Sequence, residues 1–374
     1  MILMKYEWKK LFTMPALWVL AALCLAFNGL VIYNYRNITD EFNQMSSLAR
    51  ELGQQVDSDF IKALESMERT DLEDTLLTES KTLTNIYEDH ILPNYTESYS
   101  AFLNEHILLR WLLQQEYQST VMRVEHLAET EQALNLYAGP VTQDAFSIQY
   151  TYLRVIVIEG VLLGALSMLL LWDYEKVNKT LGMVCASRTG RGVYRKKVMA
   201  GVTGALTIYF ILSAISMAMF FLMWDYRGVW GASMSSAFLV NDGTPFIPWA
   251  DFTVLGYQAA SISLGAAFVV IFALMGAACV GAVKNIYAAA LLMIVVCLIG
   301  WNLVILCQNS PLAWAVPYLF LQPTWIIRNI HIWFSGGSGI AVTCWFETVA
   351  AGIHLFFMAV VSGISLRRFE RKDV

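Results

Sequence analysis

Six stretches of the chain are almost purely apolar: 12–34, 151–172, 198–224, 253–282, 287–307 and 341–366. Each is long enough for a helix crossing a hydrocarbon core, which takes about 20 residues. Residues 35–150 carry no such run. Apolar positions there recur at helical rather than strand spacing, as in Phe102, Leu109, Leu113, Tyr117, Val121, Val124 and Ala128. The pattern predicts an all-α integral membrane protein with six transmembrane helices. It also predicts a large helical extracellular domain between the first two spans and a re-entrant outer hairpin before the last. The expected divisions are 1–34, 35–150 and 151–374.

Composition agrees. Only 15% of the 374 residues are charged and 57% are hydrophobic, whereas soluble domains carry about 25% charged residues. Charge also sets an orientation. With the N-terminus inside, segments 1–11, 173–197, 283–286 and 367–374 hold 15 Lys/Arg, against 9 in the much longer outer segments. This is the positive-inside bias, and both termini are expected in the cytoplasm. The lysines before the first run suggest a signal peptide, but the run is too long for a signal core, so a retained span is expected. MKYEWKKLF reads as an amphipathic helix on the cytoplasmic surface, with Lys5, Lys9 and Lys10 toward headgroups. Tryptophans 172, 224, 249, 301, 314, 325, 333 and 345 fall near span ends, as an interfacial belt would.

The insertion 35–150 holds 20 Asp/Glu against 7 Lys/Arg. A long helix from about Glu97 to Leu134 is expected, ended by Gly139-Pro140, within an antiparallel bundle. The acidity suits either a solvated surface or a cap that meets a cationic ligand. Asn37 and Asn94 each begin a glycosylation triplet, read here as chance. Segment 311–337 is too apolar for an ordinary loop and is broken by Pro317, Pro323 and a Gly-Gly-Ser run. Two short half-buried helices in a re-entrant hairpin would fit.

Ionisable residues inside spans are functional candidates. Glu159, Glu347 and His354 are such residues, with Glu159 open to a salt bridge, a substrate path or a proton relay. No nucleophile–base pattern or metal-ligand spacing appears, and the six cysteines read as small core residues. Gly160-x-x-x-Gly164 and the Gly276–Gly281 stretch read as close helix packing, within the subunit or across a dimer.

One basic segment interrupts the apolar half: DYEKVNKTLGMVCASRTGRGVYRKKVMA, from Asp173 to Ala200. The order Glu175, Lys176, Asn178, Thr180, Leu181, then Ser187, Gly190, Arg191, Tyr194 and Lys197 resembles the cytoplasmic loop of ABC-2-type permeases, the membrane subunits of a class of ABC exporters. The six-span layout and the hairpin before the last span extend the resemblance. Lys179 stands where many members have Gly and Arg188 where many have Pro, which looks more like the bacitracin-resistance and lantibiotic-immunity branch. The 116-residue insertion is not part of the minimal pattern.

The resemblance implies a bacterial plasma-membrane exporter subunit. Loop 173–197 would couple to cytoplasmic P-loop ATPase subunits through Glu175, Asn178, Thr180, Leu181, Ser187, Arg191 and Arg195. This chain has no P-loop, so no cofactor is expected in it; ATP and Mg would sit on the partner. A second permease copy or a related permease, the lipid bilayer and an amphipathic peptide-antibiotic or lipid-like substrate are the other implied partners, and no nucleic acid is. Two alternatives stay open: a non-transporting sensor or scaffold with a ligand-binding outer domain, and an embedded enzyme using Glu159, Glu347 or His354.

Overall fold

The computed structural model describes residues 2–88, 92, 106–186, 190–241, 244–283 and 285–371. Among these described residues, six helices are long and apolar enough to cross a membrane. They are α2 (Pro15–Asn34), α7 (Thr142–Val177), α9 (Val193–Met223), α10 (Val254–Ala282), α11 (Ile286–Gln308) and α14 (Phe346–Arg371). A short α1 (Ile2–Phe12) precedes them. Pro15 opens α2, where its missing N–H costs nothing.

Two spans run longer than the apolar pattern alone marks. α7 has 36 residues, about 54 Å at 1.5 Å per residue. Its extra N-terminal turns keep an inward stripe of Ala145, Phe146 and Gln149 that runs on into Tyr152 and Leu153. α9 begins before Lys197, so that lysine lies within a helix rather than in a loop.

α7 and α10 form the centre. They bury 72% and 61% of their apolar windows, against 17–39% for the other four spans. Glycine makes the close approach possible. A Cβ on Gly160 would sit 2.2 Å from the Tyr209 ring, and one on Gly164 2.9 Å from Val269. Gly276 lies against Ala165 and Met168, and Gly281 against Ser365. These small residues therefore pack helices inside one subunit.

The insertion contains α3 (Thr39–Leu52), α4 (Ser58–Ser66), α5 (Asp71–Thr82) and α6 (Ile107–Glu129). Asp57 caps α4, and Thr70 with Glu73 closes a capping box on α5. The expected 97–134 helix is shorter at its C-terminal end. α6 stops at Glu129, Glu131 takes a left-handed φ of 50°, and Gly139–Val141 is a separate tight turn leading into α7. Phe102 and the rest of 93–105 lie outside the described residues, as does Asn94. The inward stripe also shifts after Leu113, running through Glu116, Thr120, Val124 and Leu127 instead of Tyr117 and Val121. A polar pair takes the buried face because its hydrogen bonds are met there (below).

The insertion is not a separate unit. Phe42, Leu48, Phe60, Leu64 and Leu76 share one continuous core with Tyr152, Ile156 and Val157 of α7. It is also stitched to the loop after α9. Asn43 accepts from Asp225 N at 2.7 Å, Gln54 donates to Gly228 O at 2.6 Å, and Arg123 donates to Pro248 O at 2.7 Å. That loop holds a small pair, β1 (Val240–Asn241) with β2 (Thr244–Pro245). It also holds β3 (Ile247–Pro248), which pairs with β4 (Ser335–Gly336) in register Ile247 to Gly336.

Between α11 and α14 the two expected short helices are present: α12 (Val316–Leu319) and α13 (Pro323–Arg328). Two tryptophans of this stretch do not face outward as a belt would, whereas Trp314 is exposed. Trp325 and Trp333 are buried, as are Trp172 and Trp224, and Trp333 donates to Ile326 O at 2.9 Å. The belt reading fails for these four because core packing, not the lipid boundary, uses their area.

Candidate functional site

The basic segment leaves α7 through a well-formed cap. Lys179 N–H bonds Lys176 O at 3.1 Å and Thr180 N–H bonds Glu175 O at 2.8 Å. Lys179 takes φ 56°. This is a Schellman motif with lysine at the left-handed position that glycine usually fills. Asn178 is exposed and its amide returns to Tyr174 O at 2.8 Å. After Thr180 comes α8 (Leu181–Ala186), with Leu181 half-buried and Met183 70% exposed.

The two ends of the segment meet in a buried ion cluster. Lys197 of α9 is wholly buried and bonds Glu175 of α7 and Leu171 O at 2.8 Å. Glu175, 1% exposed, also receives Lys10 of α1 at 2.8 Å. Lys10 bonds Glu7 at 2.5 Å, and Glu7 lies 3.7 Å from Lys197. Two acids and two bases thus cancel inside three helices. Burial would lower the pKa of Lys10, but the Glu175 and Glu7 carboxylates outweigh it, so it is raised.

This placement separates the sequence-selected residues. Glu175 faces inward and anchors the segment; it offers no surface. Asn178, Thr180 and Leu181 sit on the cap and on α8. Arg195 is exposed on the first turn of α9. The backbone of Arg191 lies in a tight turn before α9, and Ser187 lies outside the described residues. Lys10 is turned into the protein rather than toward headgroups, while Lys5, Tyr6 and Lys9 stay exposed. α1 is pinned there by Leu11, wholly buried, and by Trp8, whose ring N–H donates to Thr203 at 2.9 Å. Sequence reasoning missed Lys10 and Lys197 as partners of Glu175, and Glu7 as the second acid of the cluster. The available signal was Lys197 standing directly before the apolar run that starts at Val198.

The three intramembrane candidates occupy separate surroundings. Glu159, 6% exposed, accepts from Asn28 Nδ2 at 2.7 Å and has no cationic partner among the described residues. The expected salt-bridge reading is therefore replaced by an amide from α2. Glu347 is fully buried beside Phe334, and neither carboxylate oxygen meets hydrogen-bond geometry. Phe334 and Trp345, which flank it, both take left-handed φ values of 60° and 54°. His354 bonds Ala350 O of its own helix at 2.8 Å, an internal satisfaction.

Outside the spans, Glu116 of α6 is the notable buried acid. Its Oε1 accepts from Gly337 N at 3.1 Å and Thr120 Oγ at 3.2 Å. Burial raises its pKa against these two bonds. It ties the insertion to the segment that enters α14. No protein-family model and no curated protein matches the chain.

Proposed function

We propose that this chain is the membrane-spanning permease subunit of an ATP-driven exporter of the ABC-2 type, with ATP hydrolysis on a separate P-loop subunit. The observation that carries the reading is the way α8 is rooted. A short helix with an exposed apolar Met183 is capped directly onto the longest span, and at that root Glu7, Glu175 and Lys197 are buried with Lys10 half-buried beside them. Force applied to α8 passes into α7 and, through Lys197 and Lys10, into α9 and α1. A rigid-body stroke needs such a stiff lever.

In this reading the α8 end lies in the cytoplasm of a bacterial cell and the insertion lies outside as a cap. Segment 311–337 forms a re-entrant hairpin at the outer mouth. Leu181, Met183, Arg195 and Arg191 would meet the ATPase, while Glu175 positions them from within. Two permease subunits, identical or related, would move an amphipathic peptide or lipid-like molecule. The exposed apolar faces of α11 and α14 would serve the bilayer and the second subunit.

The experiment is affinity purification from the native membrane in mild detergent, with identification of what stays bound. A stoichiometric P-loop ATPase lost in Met183→Glu, but kept in a remote surface variant such as Lys62→Ala, supports the reading. A monodisperse sample without ATPase overturns it in favour of a sensor or scaffold.

A further inference from the structure

Where α2, α7 and α9 meet, three side chains form a polar seam in the apolar bundle. Asn28 Nδ2 donates to Glu159 Oε2 at 2.7 Å and to Ser216 Oγ at 2.9 Å. Asn28 and Ser216 are wholly buried. Tyr152 closes the seam by donating to Ser216 O at 2.9 Å. The Cys24 thiol, one turn before Asn28, also faces the carboxylate.

Two features are costly as they stand. Glu159 lies in a predicted membrane span with no cation beside it among the described residues. The other atom of the same amide, Asn28 Oδ1, is buried and accepts no hydrogen bond. A buried acceptor left empty calls for an explanation, such as an ion, a water or a proton. Turning the Asn28 amide by 180°, which its side chain allows, places Oδ1 against both Glu159 and Ser216. Three oxygens then converge, carrying one negative charge in total. One bound positive charge completes the set. The separations are those of hydrogen bonds, which suits a proton shared between Glu159 and Asn28 better than a metal ion wedged between them.

We propose that the Glu159–Asn28–Ser216 seam is a proton-binding site within the membrane. A proton from water binds the Glu159 carboxylate and is donated to Asn28 Oδ1; on release, the amide turns and Nδ2 donates to the carboxylate. Both states keep α2 joined to α7, but with opposite amide orientations. The groups facing Glu159 are the Asn28 amide and Cys24 thiol from α2 and the Tyr152 phenol from α7, with the Ser216 hydroxyl of α9 on the far side of the amide. Tyr209 packs on the neighbouring Gly160. Arg154, on the same helix, turns to Arg328 O at 3.3 Å and leaves Glu159 alone. This inference needs six helices in a membrane; it does not need an ATPase.

The test is infrared difference spectroscopy of the complete protein in lipid nanodiscs across a pH titration, in choline and then sodium salts. A titrating protonated-carboxyl band should vanish in Glu159→Gln and persist in Glu347→Gln. Asn28→Ala, which keeps the carboxyl, should shift that band and is the deciding variant should Glu159→Gln fail to fold. A band unmoved by either change at Glu159 or Asn28 overturns the proposal. Loss of the band on replacing choline with sodium at constant pH also overturns it, and makes the seam an alkali-cation site.

Discussion

The ammonium of Lys197 on α9 binds the carboxylate of Glu175 on α7 with neither side chain reaching the surface. The pair joins the two ends of the basic segment at the point where both enter the bundle. Glu7 and Lys10 complete the neutrality. Removing one partner of a buried pair leaves an uncompensated charge and costs about 3–5 kcal/mol, whereas replacing both by apolar groups can be close to neutral. Lys197→Met should therefore lower the thermal unfolding midpoint sharply in detergent. Glu175→Leu combined with Lys197→Met should recover most of that loss, because the Glu7–Lys10 pair remains balanced. A double variant as unstable as the single one would mean the pair acts through packing alone.

Lys179 holds a left-handed φ of 56° at the end of α7. That conformation costs a non-glycine residue about 1–2 kcal/mol. Lys179→Gly should stabilise the cap by about 1 kcal/mol, less the extra chain entropy of glycine, and make the turn into α8 more resistant to protease. Lys179→Val should do the opposite, since a β-branched residue tolerates this φ worst.

Gly160 brings α7 against α9, with the Tyr209 ring where a Cβ would sit. Gly160→Ala overpacks this contact, which typically costs about 1–3 kcal/mol. The expected readout is a lower unfolding midpoint that Gly160→Ala combined with Tyr209→Leu partly restores. No recovery in the pair would show that the α7 backbone, rather than the ring, resists the methyl.

Glu116 gives the insertion a pH dependence of unusual sign. Its folded pKa is raised by burial, so folding favours the protonated form. Its contribution to stability is fully present below the unfolded carboxylate value and is lost as pH rises through the raised folded value. Glu116→Gln keeps an acceptor for Gly337 and should flatten that part of the profile, leaving stability higher at neutral pH than in the parent. Unfolding midpoints measured through this window decide it. A parent profile that rises with pH at this step would contradict the assignment.

The pattern of apolar positions alone placed all six spanning helices, because a run of about 20 apolar residues has one helical solution in a bilayer. It also marked the two short helices before α14, through Pro317 and Pro323. It could not give the ends of α7 and α9. Their extra turns are mixed in polarity and become helical because neighbouring elements cover one face. The stripe on α6 shows the same limit: Glu116 and Thr120 displace Tyr117 and Val121 from the core because Gly337, more than two hundred residues away, supplies the matching amide. The candidate residues divide likewise. Glu175 stood out through the loop's resemblance to a permease motif and Glu159 by being charged among apolar neighbours, but their partners come from elsewhere: Lys197 and Lys10 for the first, Asn28 for the second. Periodicity reports which face of a helix avoids water, a local property. Which buried charge meets which donor depends on how three helices approach, and only tertiary packing decides that.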